Sequence, residues 1–417
     1  DTMVQGLMDM YRARNCREFH LALCHWTTPA QNVVYADVEG NIAFSWPGKI
    51  PIRSKGDGRL PVPGWTDEYE WTGYVPFELL PHLTNPAEGF IATANNRVFG
   101  DDYPIQIPIQ PISGDRIQRL HELIESQEKT DVSFMQEMHF DQVSTSAREV
   151  ARHFRALNQT DGDSELYRAA LVSLQNWDGT LSADSLAAAI YESFIRRIVA
   201  LMLTHKLHQL HPSTPPEENL DLTLRFMGKG PTPVLMEASY FGEFYLPWLT
   251  CQLEQPDSHW FNLGNGERRE DVMKMALQAA LDELSARFGS KLDNWKWGRI
   301  HQHTFQHLMG SNKLVASFFN RGPIQLGGDQ TTVWATGSSY FDFNNEHLVG
   351  PPFRMIVDLG DLNNSWSVLT PGQSGVPTSP HYDDQVVPWL KQGYHRMLFD
   401  RDAIRKAASH HLKLTSG

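Results

Sequence analysis

The sequence predicts an α+β fold in which a large helical excursion separates two β-rich ends. Three observations carry this. Short β-branched and aromatic runs divided by glycine-bearing turns occur at 33–37 and 42–46 and return after Trp295. Between Arg116 and Trp295 apolar residues instead recur at helical spacing. The 417 residues are 41% apolar and 11% aromatic, ample for a large core. The organisation expected is a β-rich half with N-terminal helices at 1–125, a helical region at 126–296, and a returning β-rich segment at 297–417. The first and last segments are expected to meet in one sheet system.

In chain order, Met3, Leu7, Met10, Tyr11, Phe19 and Leu23 predict one or two helices over 2–23. The runs flanking Glu39-Gly40 predict a hairpin, glycine supplying the positive φ of a tight turn. The Pro/Gly-dense ribbon 49–86 reads as ordered loop, because proline removes ladder donors and glycine weakens regular elements. Residues 90–93 read as a short buried strand ending at Asn95-Asn96. Helices follow at 117–126, at 184–207 with Leu186, Ile190, Phe194, Ile198 and Leu201 on one face, and along Met273, Leu277, Leu281, Leu284 and Phe288, with Gly289 at the C-cap. The proline-bearing stretch 211–219 reads as a linker, and 314–319, 331–335 and 354–358 as strands.

A formal charge of −13 and a pI near 5.7 argue against a nucleic-acid backbone or an anionic membrane surface as partner, since both need clustered Lys and Arg. Nothing approaches a membrane span. Cys16, Cys24 and Cys251 are too few for a disulfide framework and read as buried thiols.

The most informative stretch runs from Asn32 to Asn96. It strings together Asn32-Val-Val-Tyr-Ala-Asp-Val-Glu-Gly-Asn-Ile-Ala, Gly56-Asp-Gly-Arg-Leu-Pro-Val-Pro-Gly-Trp65, Trp71-Thr-Gly-Tyr-Val-Pro-Phe77, Asn85-Pro86 and Gly89-Phe-Ile-Ala-Thr-Ala-Asn-Asn96. With Ser113-Gly-Asp-Arg116, Thr370-Pro-Gly-Gln-Ser-Gly and Ser379-Pro-His-Tyr-Asp-Asp-Gln385, this closely resembles the penicillin acylase family of N-terminal-nucleophile hydrolases. The likeness covers both ends well and 127–295 only loosely. It implies a layered αββα fold with a helical excursion, and the C-terminal part of a catalytic β subunit. The implied reaction is cleavage of the amide of an N-acylated small molecule, either a penicillin-type antibiotic or an acyl-homoserine lactone. The implied location is periplasmic or secreted.

Such enzymes begin their catalytic chain with Ser, Thr or Cys, whose α-amino group, with a pKa of ~7.7–8.0, takes the side-chain proton. Position 1 here is Asp1. The resemblance therefore places the nucleophile upstream, on α and N-terminal β segments of the same precursor, and implies that this chain alone is inactive. The alternative is a non-catalytic structural or binding fragment of the same fold.

Acyl transfer needs a donor for the oxyanion of the tetrahedral intermediate. Asn95 falls on the family position whose side-chain amide completes that oxyanion hole, and Arg116 on that of a site-lining arginine. Taken alone, Asn95-Asn96 reads as a turn, and Arg116 as a partner of Asp115 or Glu122. Gln31 falls on a position lining the acyl pocket, where the plainer reading is a strand start, and Asn32 on a supporting position. Some family members hold calcium with a carbonyl of the Gly-Asp-Gly-Arg turn, here Gly58, and a carboxylate after Asp-Tyr-Pro. This chain continues Ile-Gln-Ile-Pro-Ile after Pro104, and calcium takes six to eight oxygens, so no cofactor is expected.

Three other patterns are weaker. Gly372-Gln-Ser374-Gly lacks the spacing of a nucleophile elbow, although His381 and Asp383 lie nearby. His303 and His307 lack the glutamate of a zinc-protease helix and read as satisfied structural histidines. Gly327-Gly328-Asp329 reads as a turn.

Overall fold

The computed structural model describes residues 2–105, 107, 112–226, 238–337 and 350–415. Asp1 and most of the segment after Pro104 lie outside them. The chain divides into two compact units, residues 1–117 with 358–362, and residues 118–357 with 363–417.

In the first unit, α1 (Met3–Arg12) and α2 (Cys16–Ala22) form the predicted helical pair. Asn15 starts α2 by accepting the Glu18 N–H at 2.9 Å, satisfying a donor that has no intrahelical partner. The hairpin is also as predicted. Strands β1 (Val33–Ala36) and β2 (Ile42–Ser45) pair antiparallel across a turn in which Asp37 accepts the N–H of Glu39 and Asn41, with Gly40 at φ +86.

The ribbon 49–86 is more regular than expected. It holds β3 (Pro51–Arg53) paired with β4 (Trp71–Tyr74), and β5 (His82–Thr84). Each is short, and proline stands at the first position of β3, where a missing donor is tolerated. β5 occupies the second edge of β2, so the sheet order is β1-β2-β5. Residues 90–93 pair with none of the described strands and are not a strand, contrary to expectation.

The second unit is built on helices. These are α3 (Asp115–Glu125), which straddles the boundary, α4 (Val132–Met138), α5 (Thr145–Arg155), α6 (Glu165–Gln175), α7 (Leu186–Leu210), α8 (Pro216–Phe226), α9 (Ala238–Leu253) and α10 (Arg269–Phe288). Residues 187–196 of α7 are buried without interruption, so the helix is central, with α10 as its main partner. Phe154 and Phe194 meet edge to face at 4.7 Å, and Trp177 packs on Tyr191 at 5.1 Å. Each such ring contributes roughly 1.5–3 kcal/mol by leaving water. Gly289 closes α10 at φ +79, as its position suggested. The expected linker 211–219 is half helix, because Pro216 sits in the first turn of α8, where its missing N–H costs nothing.

After α11 (Trp297–Ile300), β6 (Gln302–Phe305) pairs with β7 (Arg321–Gln325), and β8 (Phe353–Ile356), β9 (Ser365–Leu369) and β10 (His395–Met397) form a sheet of order β10-β9-β8. The strand predicted near 354–358 is β8. The one predicted at 314–319 is instead α12 (Ala316–Phe319), and 331–335 is irregular, wrapped around Asp329. α13 (Val386–Leu390) and α14 (Arg401–Ala407) complete the unit. Among the described residues each sheet draws its strands from one end of the chain only. The cysteines also depart from expectation. All three are free, Cys24 and Cys251 are exposed, and Cys16 is half-buried.

Candidate active site

Asn95 follows the buried Ala94 and has φ +61, a left-handed conformation that asparagine tolerates better than other side-chain-bearing residues. Two contacts hold it there. The Ile112 N–H donates to its carbonyl at 3.0 Å, and Asn96 Oδ1 accepts the Ala94 N–H at 3.0 Å. Turn and candidate donor are therefore the same object, since the conformation that makes a turn also presents the side chain.

Arg116, in the first turn of α3, donates from Nη2 to Asn95 Oδ1 at 2.9 Å. A guanidinium has no acceptor, so this bond fixes the amide's orientation, with oxygen toward Arg116 and Nδ2 on the other side. Among the described residues no acceptor engages Nδ2. The pair so formed is an amide N–H donor polarised by a cation behind its carbonyl. Glu122, the alternative partner for Arg116 in the sequence, takes Arg119 at 3.0 Å and Arg148 at 2.6 Å, which hold its carboxyl below the usual range.

Gln31 precedes β1 with an exposed side chain, and its backbone N–H donates to Pro47 at 3.4 Å. No hydrogen bond joins it to Asn95 or Arg116. Gly58, at φ +76, sits where a Cβ would lie 2.8 Å from the Arg53 guanidinium, and the neighbouring Asp57 is paired with Arg59. These cationic surroundings do not fit calcium. Among the described residues no group of three or more His, Cys, Asp or Glu side chains is placed to hold a metal ion.

The weaker patterns resolve separately. Asp383 pairs with Arg321, and His381 with Asp384 at 2.9 Å, so Ser374, His381 and Asp383 do not form a chain of hydrogen bonds. His303 lies on β6 and His307 beyond it, not on a shared helical face. His303 is not fully satisfied either. Its Nδ1 has no hydrogen-bond partner, and burial depresses its pKa to about 4. Asp329 does make a turn, its Oδ1 accepting the N–H groups of Thr331 and Thr332 at 2.7 and 3.1 Å. Sequence reasoning missed its partner Glu192, wholly buried on α7 and hydrogen-bonded to Asp329, whose carboxyl is driven well above the ordinary range by desolvation and then by the Asp329 charge. The one carboxylate on a helix whose first half is mostly apolar was the available signal.

A family profile described as penicillin amidase matches residues 1–406. The acyl-homoserine lactone acylase QuiP of Pseudomonas fluorescens is 30% identical over 409 residues, covering 94% of this chain and 46% of its own length. The penicillin acylase 2 proenzyme of a Pseudomonas species is 30% identical over 415 residues, covering 98% and 49%. A thermostable penicillin G acylase from Alcaligenes faecalis shares the fold, with a TM-score of 0.66 at 20% identity over 100% of this chain and 73% of that one. The chain spans about half the length of the curated relatives it matches.

Proposed function

The chain belongs to the penicillin amidase family, and from that premise we propose that it is the oxyanion-bearing, C-terminal part of an amidohydrolase acting on N-acylated small molecules of the penicillin or acyl-homoserine lactone kind. Asn95, its amide oriented by Arg116, is the observation that carries this reading. The nucleophile belongs to a Ser, Thr or Cys on a segment outside these 417 residues. Its oxygen or sulfur attacks the amide carbonyl as its proton passes to a terminal amine, and the carbonyl π pair moves onto oxygen. The Nδ2–H of Asn95 donates to that oxyanion, and collapse of the intermediate expels the protonated amine and leaves an acyl-enzyme for water to hydrolyse. Arg116 acts through Asn95 by holding the amide and by lending positive potential. Gln31 would set which acyl group fits.

Further support for upstream segments of a precursor comes from α1. Its Val4, Leu7, Met8 and Tyr11, spaced as one helical face, are all exposed, as expected of a surface that another segment covers. The proposed location is periplasmic or secreted; no described helix is long and apolar enough to cross a membrane.

In the complete, processed protein, Asn95→Ala should lower kcat by roughly 10²–10³ with little change in KM. Asn95→Asp should be at least as damaging, because a carboxylate repels the same charge. Asn95→Gly isolates the chemistry, since glycine adopts φ +61 without strain yet carries no amide. Near-normal kcat in Asn95→Gly would reduce Asn95 to a turn residue. N-terminal sequencing of the native protein that finds no chain beginning with Ser, Thr or Cys would favour the non-catalytic alternative.

A further inference from the structure

A cleft of about 330 Å³ in the second unit lies between the β6–β7 hairpin and the segment 371–382. We propose that it is a binding site for a small uncharged aromatic molecule carrying a hydrogen-bonding substituent. This goes beyond the amidase reading and does not depend on it.

The walls are aromatic and braced. Phe305, Phe319 and Tyr382 line the cleft, His307 stacks on Phe319 at 4.9 Å and 18°, and the Tyr382 hydroxyl donates to the Phe319 carbonyl. The Ser374 N–H donates to the His381 carbonyl at 3.0 Å, and Gly372 leaves no room for a Cβ, which would fall 2.4 Å from that same oxygen. The cleft is thus built before any ligand arrives.

Its polar groups are uncommitted. The side-chain amides of Gln306 and Gln373 make no hydrogen bond among the described residues. Ser374 Oγ accepts the Val376 N–H at 3.1 Å, which leaves its own hydrogen to donate. His307 Nδ1 accepts the Met309 N–H at 3.1 Å, so the ring proton sits on Nε2. Aromatic walls with a few unspent donors and acceptors are the makeup of a small-molecule site, not of a packing defect.

Charge narrows the ligand. Arg321 is the one cation among the lining residues, and its charge is offset by a carboxylate. Its Nε pairs with Asp383, its Nη1 donates to the Phe318 and Asn320 carbonyls at 3.0 Å, and its plane lies 4.6 Å over the Tyr382 ring. An anion would meet a cation already paired with Asp383, and a neutral ring would find stacking faces and edge partners.

The test uses calorimetric titration of the full protein with phenol, against cyclohexanol, which lacks a π face, and benzoate, which carries a charge. Phenol should saturate with a Kd on the order of 1 mM, both controls binding at least about ten-fold more weakly. Gly375→Trp should abolish binding with the Tm kept, because Gly375 lines the cleft, a Cβ there meets nothing within 4 Å, and its φ is outside the left-handed region. Gln373→Ala, at an exposed side chain, should weaken phenol about five-fold, the effect of one hydrogen bond. No saturation by ~10 mM phenol, benzoate binding as tightly as phenol, or unchanged phenol affinity in a folded Gly375→Trp would each overturn the proposal. Should Gly375→Trp lower the Tm, full phenol affinity in Gln373→Ala combined with Ser374→Ala would overturn it instead.

Discussion

If Arg116 serves catalysis by holding the Asn95 amide, its loss should matter only while that amide is present. Arg116→Met keeps most of the aliphatic stem and removes the 2.9 Å bond to Oδ1. A hydrogen bond to a charged group contributes about 1.5–3 kcal/mol, so kcat should fall by roughly 10–150-fold through loss of orientation and of positive potential behind the carbonyl. KM should change little, because the oxyanion exists only in the transition state. Asn95→Gly alone should cost roughly 10²–10³. The decisive variant is the double one. With no amide to orient, Arg116→Met should add no more than a few-fold, giving a coupling energy of about 1.5–3 kcal/mol between the two positions. The assay is turnover of a chromogenic acyl-anilide by the complete processed protein, with circular dichroism verifying each variant. Multiplicative losses, with each change costing as much in the double variant as alone, would refute the reasoning and make Arg116 an independent contributor.

Other outcomes follow from the second unit. Burial and Asp329 raise the Glu192 carboxyl above its free value of 4.5, so stability is greatest below that value and declines as pH rises toward the folded pKa; Glu192→Gln keeps a donor for Asp329, and urea unfolding from pH 4 to 8 should show a flatter profile. His301 runs the other way. Buried without a hydrogen bond on either nitrogen and stacked on Trp297, it is depressed to about 3, so its contribution is present above pH 6.5 and lost as pH falls; His301→Phe should shift acid unfolding to lower pH, and an unshifted acid midpoint would count against it. Gly328→Ala should lower stability by roughly 2–5 kcal/mol in thermal unfolding, because φ is +74 and a Cβ would lie 2.6 Å from the Trp334 carbonyl. Arg354, with no carboxylate partner among the described residues and held 4.1 Å from the Phe140 ring, is lowered to about 10 by burial; Arg354→Lys, whose ammonium cannot lie flat against the rings, should cost about 1–3 kcal/mol, and an unchanged Tm would show that planarity is immaterial there.

Local signals in the sequence located much of the structure because their causes are local. Helical spacing identified α7 and α10, Gly289 marked the end of α10, and Glu39-Gly40 marked the β1–β2 turn, each through contacts within a few residues. The motif from Gly89 to Asn96 and Arg116 pointed to the candidate site residues, and their rarity in that order pointed to the family. What the sequence did not disclose depends on partners distant along the chain. Residues 90–93 carry strand composition but pair with no described strand, and 331–335 carry it too but wrap around a buried aspartate. Composition likewise read three cysteines as buried, whereas exposure follows from which helix face the neighbours leave open. Spacing could name Asn95 and Arg116. Only the fold could bring Arg116 Nη2 to Asn95 Oδ1 and so decide which end of the amide is left to donate, since that orientation is set by a contact across 21 residues of chain.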